Sequence, residues 1–152
     1  MQTPTQHSTE DASVDRLMSF CRGEISAVES YAQALASGIL ARFSGRLRHC
    51  QSSHQTRVDL LRAQIKLLGG EPPTSSGAWG TFAKVVEKAA TAAGERAALA
   101  ILKEGEDHGL NLYRTLTADL DAISSVLVTQ RLLPLQLETH RIASELASNP
   151  VS

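Results

Sequence analysis

From Val14 to Leu35 the apolar residues recur at alternating steps of three and four, and the stripe they form is broken by a carboxylate. The positions are Val14, Leu17, Cys21, Glu24, Val28, Tyr31 and Leu35. Such spacing places all seven on one face of a helix. An unpaired charge on a buried face is costly, so Glu24 needs polar partners from neighbouring elements. The arrangement occurs a second time. Gly105-Glu106 is followed by Tyr113, as Gly23-Glu24 is followed by Tyr31, with seven residues from Glu to Tyr in both cases. Glu106 lies in the stripe Leu99, Leu102, Glu106, Gly109, Tyr113 and Leu116. Two matched violations of the apolar pattern argue for a polar layer inside packed helices.

The remaining segments supply partners for these two helices. A second helix is expected from about Leu40 to Leu68, with a seam of Leu40, Phe43, Leu47, Cys50, His54, Val58, Leu61, Ile65 and Leu68. Gly38 marks the turn before it, and Gly69-Gly70-Glu71-Pro72-Pro73 ends it with glycine followed by proline. A loop at 69–78 precedes a short helix, Trp79 to about Ala93, with Phe82, Val85 and Val86 inward. Gly94 separates that helix from the one carrying Glu106, about Glu95 to Thr117. Asp119 or Asp121 caps a last helix, about 122–148, with Ile123, Val126, Gln130, Leu133, Leu137, His140 and Ala147 on its seam. Pro134 should bend it. Residues 1–10 read as a disordered tail, with Asp11 or Ser13 capping the first helix. Residues 11–148 read as a single domain.

Short turns make antiparallel neighbours, and the one long connection, 69–93, can cross between two hairpins. The expectation is an all-α protein, a ferritin-like antiparallel four-helix bundle with a short extra helix in the crossover between helices 2 and 3. Aromatic residues make up only 4% of the chain, which suits packed helices better than a β-sandwich.

Composition narrows the function classes. The formal charge is −1, which argues against nucleic acid or an anionic membrane as the main partner. Arg42, Arg46, Arg48, Arg57 and Arg62 make one segment basic, read as a solvated helix face. The two cysteines, Cys21 and Cys50, fall on apolar stripes and read as buried free thiols. That fits a reducing compartment, and a cytoplasmic location is expected. No stretch approaches about 20 uninterrupted apolar residues, so no transmembrane helix is expected. Phosphate loops, dinucleotide fingerprints and Ser–His–Asp signatures are lacking, and no catalytic residue is assigned.

Each long helix thus offers one ionisable residue to its seam: Glu24, His54, Glu106 and His140. Glu24 and His54 have their midpoint at residue 39, beside Gly38, and should meet across the first hairpin. Glu106 and His140 align less well about the second turn, and Gln136 is an alternative occupant. Two readings stay open. In one, Glu24, His54, Glu106 and His140 hold a single iron or other transition-metal ion. In the other they form a hydrogen-bonded network supported by Tyr31, Tyr113, Gln51 and Gln136. A di-iron bundle would bring a Glu-x-x-His motif from each of two helices. Here the residues three before His54 and His140 are Gln51 and Leu137, so the motif is broken twice and ferroxidase chemistry is not expected.

The stretches Leu67-Leu68-Gly69-Gly70-Glu71-Pro72, Ser76-Gly77-Ala78-Trp79-Gly80 and Gly105-Glu106-Asp107 with Tyr113, followed by Thr139-His140, resemble a bacterial family of short ferritin-like four-helix-bundle proteins, classed as a domain of unknown function. The resemblance covers about residues 14–147. It implies the fold and a homo-oligomer, a dimer, and supplies no reaction. A helical oligomerisation or interaction module is a further reading.

Overall fold

A computed structural model describes the backbone of residues 4–148 and the side chains of residues 8–148, and every regular element in it is helical. Helix α1 spans Pro4–Ala36 and α2 spans Ser44–Leu67. The turn between them uses Gly38 at φ +74°, a left-handed conformation that glycine adopts without Cβ strain, and a 3₁₀ turn at Ala41–Phe43. Across this hairpin Glu24 faces His54 and Gln51 reaches the Val28 carbonyl, pairs that lie symmetrically about the turn, so the two helices are antiparallel. Helix α2 ends where the Gly70 amide returns to the Ile65 carbonyl and Gly69 turns at φ +82°.

The crossover passes through a 3₁₀ turn at Gly77–Gly80 into α3 (Thr81–Ala92), which packs on α1 and on α4 (Glu95–Thr115). Asp121 caps α5 (Ala122–Leu127) by accepting from the Ser124 amide at 3.0 Å. A π-helical turn at Val128–Leu132 leads from α5 into α6 (Leu133–Ser148), which packs against α4. Ser13 ties the two hairpins together, donating to Asp121 at 2.6 Å and accepting its amide at 2.7 Å.

Two apolar clusters fill the interior. One gathers Leu40, Phe43, Leu47, Val86, Leu99 and Leu146, and the other Leu17, Phe20, Val58, Leu61, Ile65 and Leu132. Tyr31 belongs to the first and Tyr113 to the second, and the polar layer lies between them. Cys21 and Cys50 are buried and free.

Three expectations are corrected. The N-terminal tail is helical from Pro4, while residues 1–3 lie outside the described residues. Proline suits a first helical turn, and adding residues to an existing helix costs little compared with nucleating one. Ser13 is consequently an interior helix residue, not a cap. In α3 the buried residues are Ala83, Val86 and Ala90, and Val85 is exposed.

The third correction concerns the last rod. Its buried face is Ser124, Val128, Leu132, Gln136, Thr139, Ile142, Ala143 and Leu146. Of the residues expected inside, Ile123, Val126 and Leu137 are 71%, 51% and 40% exposed, and Gln130 is exposed as well. Three successive steps of four would drift by about 120° on a regular helix of 3.6 residues per turn. The π turn removes that drift: the Leu133 amide bonds the Val128 carbonyl, five residues back. Pro134, lacking an N–H, follows directly, so the expected bend takes the form of a ladder that changes pitch.

Candidate functional site: a buried Glu–His–Glu–Arg layer

His54 stands at the centre of the layer. Its Nδ1 lies 2.6 Å from Glu24 Oε2 and its Nε2 lies 2.7 Å from Glu106 Oε1. All three side chains are buried. A carboxylate on each ring nitrogen requires each nitrogen to donate, which makes the ring an imidazolium. Burial opposes that charge, but the Glu106 carboxylate most of all, and Glu24 with it, raise the His54 pKa despite the nearby Arg57.

The two tyrosines cross over. Tyr31, on the helix of Glu24, donates to Glu106 Oε1 at 2.7 Å. Tyr113, on the helix of Glu106, donates to Glu24 Oε1 at 2.5 Å. The Gly-Glu…Tyr repeat is therefore a reciprocal device, in which each copy supplies the acceptor for the other's hydroxyl. Burial is the main force pushing both phenols well above their ordinary range, and the accepting carboxylates add to it.

The second cation is Arg57, which is 0% exposed and was expected on a solvated face. Its guanidinium donates to Glu24 Oε1 at 3.3 Å, to Thr139 Oγ1 at 3.0 Å and to Gln136 Oε1. Gln136 and Thr139 in turn donate to Glu106 Oε2, each at 2.8 Å. Burial would raise the pKa of both glutamates. Arg57 and His54 overcome it at Glu24, and His54 followed by Arg57 does so at Glu106, so both carboxyls sit below their usual range. Two carboxylates, one imidazolium and one guanidinium leave the layer with no net charge.

Of the side chains expected here, Glu24, His54, Glu106, Tyr31, Tyr113 and Gln136 come together. His140 does not. The phase of α6 turns it outward, where it meets Asp107 at 2.7 Å on the surface. Gln51 is half-buried and bonds the Val28 carbonyl at 3.4 Å, outside the layer. Arg57 and Thr139 are additions. The signal for Arg57 was its place three residues after His54, one turn along the same face.

His54 and Arg57 on α2, and Gln136 and Thr139 on α6, are i, i+3 pairs that face the layer together. These donors do not fit a metal. Both His54 nitrogens are committed to carboxylates, and the Arg57 guanidinium has no lone pair to offer. Among the described residues no group of three or more His, Cys, Asp or Glu side chains is arranged to hold a metal ion. No protein family, curated protein or solved structure matches this chain.

Proposed function

We propose that the chain is a metal-independent, ferritin-like helical bundle, in which His54 and Arg57 supply the positive charge that metal ions supply in di-metal relatives of that architecture. The observation that carries this reading is the double engagement of His54 by Glu24 and Glu106. A ring that donates through both nitrogens has none left to coordinate. The layer fixes the register of four rods by joining α1, α2, α4 and α6 through charged hydrogen bonds. It has no ferroxidase role, because the bridging carboxylates that such chemistry uses are replaced by Arg57, Gln136 and Thr139.

The test is elemental analysis of protein purified without chelators, paired with thermal melts in EDTA. Metal well below one equivalent and an unchanged Tm are expected. About one equivalent or more of a transition metal, lost in the Glu24→Ala, Glu106→Ala double variant, would overturn the reading.

The exposed stripe on the last rod supports self-association as a second function. Ile123, Val126 and Leu137 lie on the outward side of this rod and are left exposed by the described residues. A second copy of the chain suits it, because a two-fold contact lets an apolar face bury itself against its like. Light scattering of the wild type should give a dimer that Ile123→Lys with Val126→Lys converts to monomer. A monomeric wild type at high micromolar concentration removes this function.

A further inference from the structure

A cavity of about 360 Å³ opens between α1 and α4 beside the polar layer, within the size range of small-molecule sites. Its walls are largely apolar, with Phe20, Phe82, Leu102 and Leu112 among them, and its floor includes Glu24, Tyr31 and Tyr113. Trp79 and His108 meet over it with ring centroids 4.9 Å apart. The Trp79 carbonyl is held to α1 by the Ser26 hydroxyl at 2.8 Å.

The two Gly-Glu repeats differ at this cavity. A Cβ on Gly105 would fall 2.8 Å from Phe82 Cζ, so the missing side chain there makes room for a phenyl ring. A Cβ on Gly23 would meet no atom within 4 Å, and Gly23 lines the cavity. The same cradle is filled by an aromatic ring in one half of the molecule and open in the other.

The floor also dictates the polarity of what enters. Every donor there is already aimed at the layer: both nitrogens of His54, both tyrosine hydroxyls, and the Gln136 amide, which reaches both the Glu106 carboxylate and the Glu106 carbonyl. Glu106 accepts four such bonds and is saturated, since a carboxylate has about four lone-pair sites. Glu24 accepts three, from Tyr113, Arg57 and His54, which leaves one site on Oε2. On the floor, what remains available is acceptors only: that site and the tyrosine oxygens.

We propose that this cavity binds a small aromatic amine, with its ring in the Gly23 cradle among Phe20, Phe82 and Trp79 and its ammonium donating to Glu24 and the tyrosine oxygens. An anionic or acceptor-only head finds no free donor on the floor. The aromatic walls favour a cation as well as a flat apolar body. This inference rests on the metal-free reading of the layer.

Trp79 is the only tryptophan in the chain, so its fluorescence reports on the site directly. The probes are 2-phenylethylamine and its anionic counterpart 3-phenylpropanoate, titrated at pH 7 into protein of measured metal content. The amine should give a saturable change and the carboxylate should bind at least about tenfold more weakly. Gly23→Leu, which fills the cradle, should remove the amine response while the far-UV circular dichroism stays native. Ala27→Leu, on the same wall, serves if Gly23→Leu does not fold. No saturable amine response, equal affinity for the two probes, or unchanged amine binding in a folded cavity-filling variant overturns the proposal. Metal-free protein that ignores the amine refutes this inference alone, whereas stoichiometric metal refutes the reading beneath it.

Discussion

Removal of Arg57 tests the charge balance of the layer most sharply. In Arg57→Met the stem volume is largely kept, and the guanidinium that faces Glu24, Gln136 and Thr139 is lost. Two carboxylates then share one imidazolium in a buried site. Breaking a buried ionic set by deleting one partner costs about 3–5 kcal/mol. The variant should lose that much stability at pH 7, read by urea denaturation with circular dichroism and Trp79 fluorescence together.

The pH profile separates this mechanism from simple loss of packing. With net charge −1 in the layer, the folded variant takes up a proton on a carboxyl that the unfolded chain leaves ionised. One extra proton in the native state makes stability rise by about 1.4 kcal/mol for each pH unit of acidification. In the wild type these groups contribute no slope between pH 4.5 and 6.5, the ordinary pKa values of Glu and His. Between pH 6.5 and 5 the variant should therefore regain about 2 kcal/mol relative to wild type. A loss under about 1 kcal/mol at pH 7, or a profile parallel to that of the wild type, would refute the charge-balance argument.

The wild-type protein should itself show a stability plateau with an edge on each side. His54 has a raised folded pKa, so its contribution is full below about 6.5 and declines as pH rises through the folded value. Glu24 and Glu106 have lowered folded values, so their contribution is full above about 4.5 and declines as pH falls. Chemical denaturation from pH 3 to 9 should find the maximum between those limits, and a maximum above pH 8 contradicts the assignment. Tyr113→Phe and Tyr31→Phe each remove a hydrogen bond to a buried carboxylate and should cost about 1.5–3 kcal/mol. Tyr113→Phe should be the worse of the two in urea melts, because Glu24 keeps two other donors and Glu106 keeps three. Gly23→Ala should raise Tm, since the new methyl meets no atom within 4 Å and alanine favours a helix interior by roughly 0.5–1 kcal/mol. Gly105→Ala must push against Phe82 and should melt below Gly23→Ala, and the reverse order would mean that the two cradles differ in some other way.

The seams of α1, α2 and α4 were legible because their apolar residues keep the period of a regular helix. Every seam residue read on these helices is buried or half-buried, Glu24, His54 and Glu106 included. The last rod was illegible for a definite reason. Apolar residues surround it, with Ile123, Val126 and Leu137 outside and Val128, Leu132 and Ile142 inside, so periodicity could not choose a face. The true face carries Ser124 and Thr139, which read as solvent residues, and Gln136, which read only as an alternative to His140, and its phase depends on a π turn that leaves no mark on a pattern of 3.6. His140 was misplaced for the same reason. Arg57 was missed differently. An arginine among four others in one basic segment reads as surface, and only the two carboxylates aligned across from it show that a second buried cation is needed.

That need explains why the layer departs from a di-metal pattern at several positions at once. A buried set of groups must come close to neutrality, or one of them surrenders its charge. Two carboxylates and two protein cations achieve this with Glu24, Glu106, His54 and Arg57. A glutamate at residue 136 would add a negative charge that Arg57 and His54 cannot offset. Gln136 and Thr139 satisfy that limit, because they carry hydrogen bonds from Arg57 to Glu106 without carrying charge. Introducing metal chemistry would thus require removing Arg57 and adding carboxylates together. Either change alone leaves an uncompensated charge in the core.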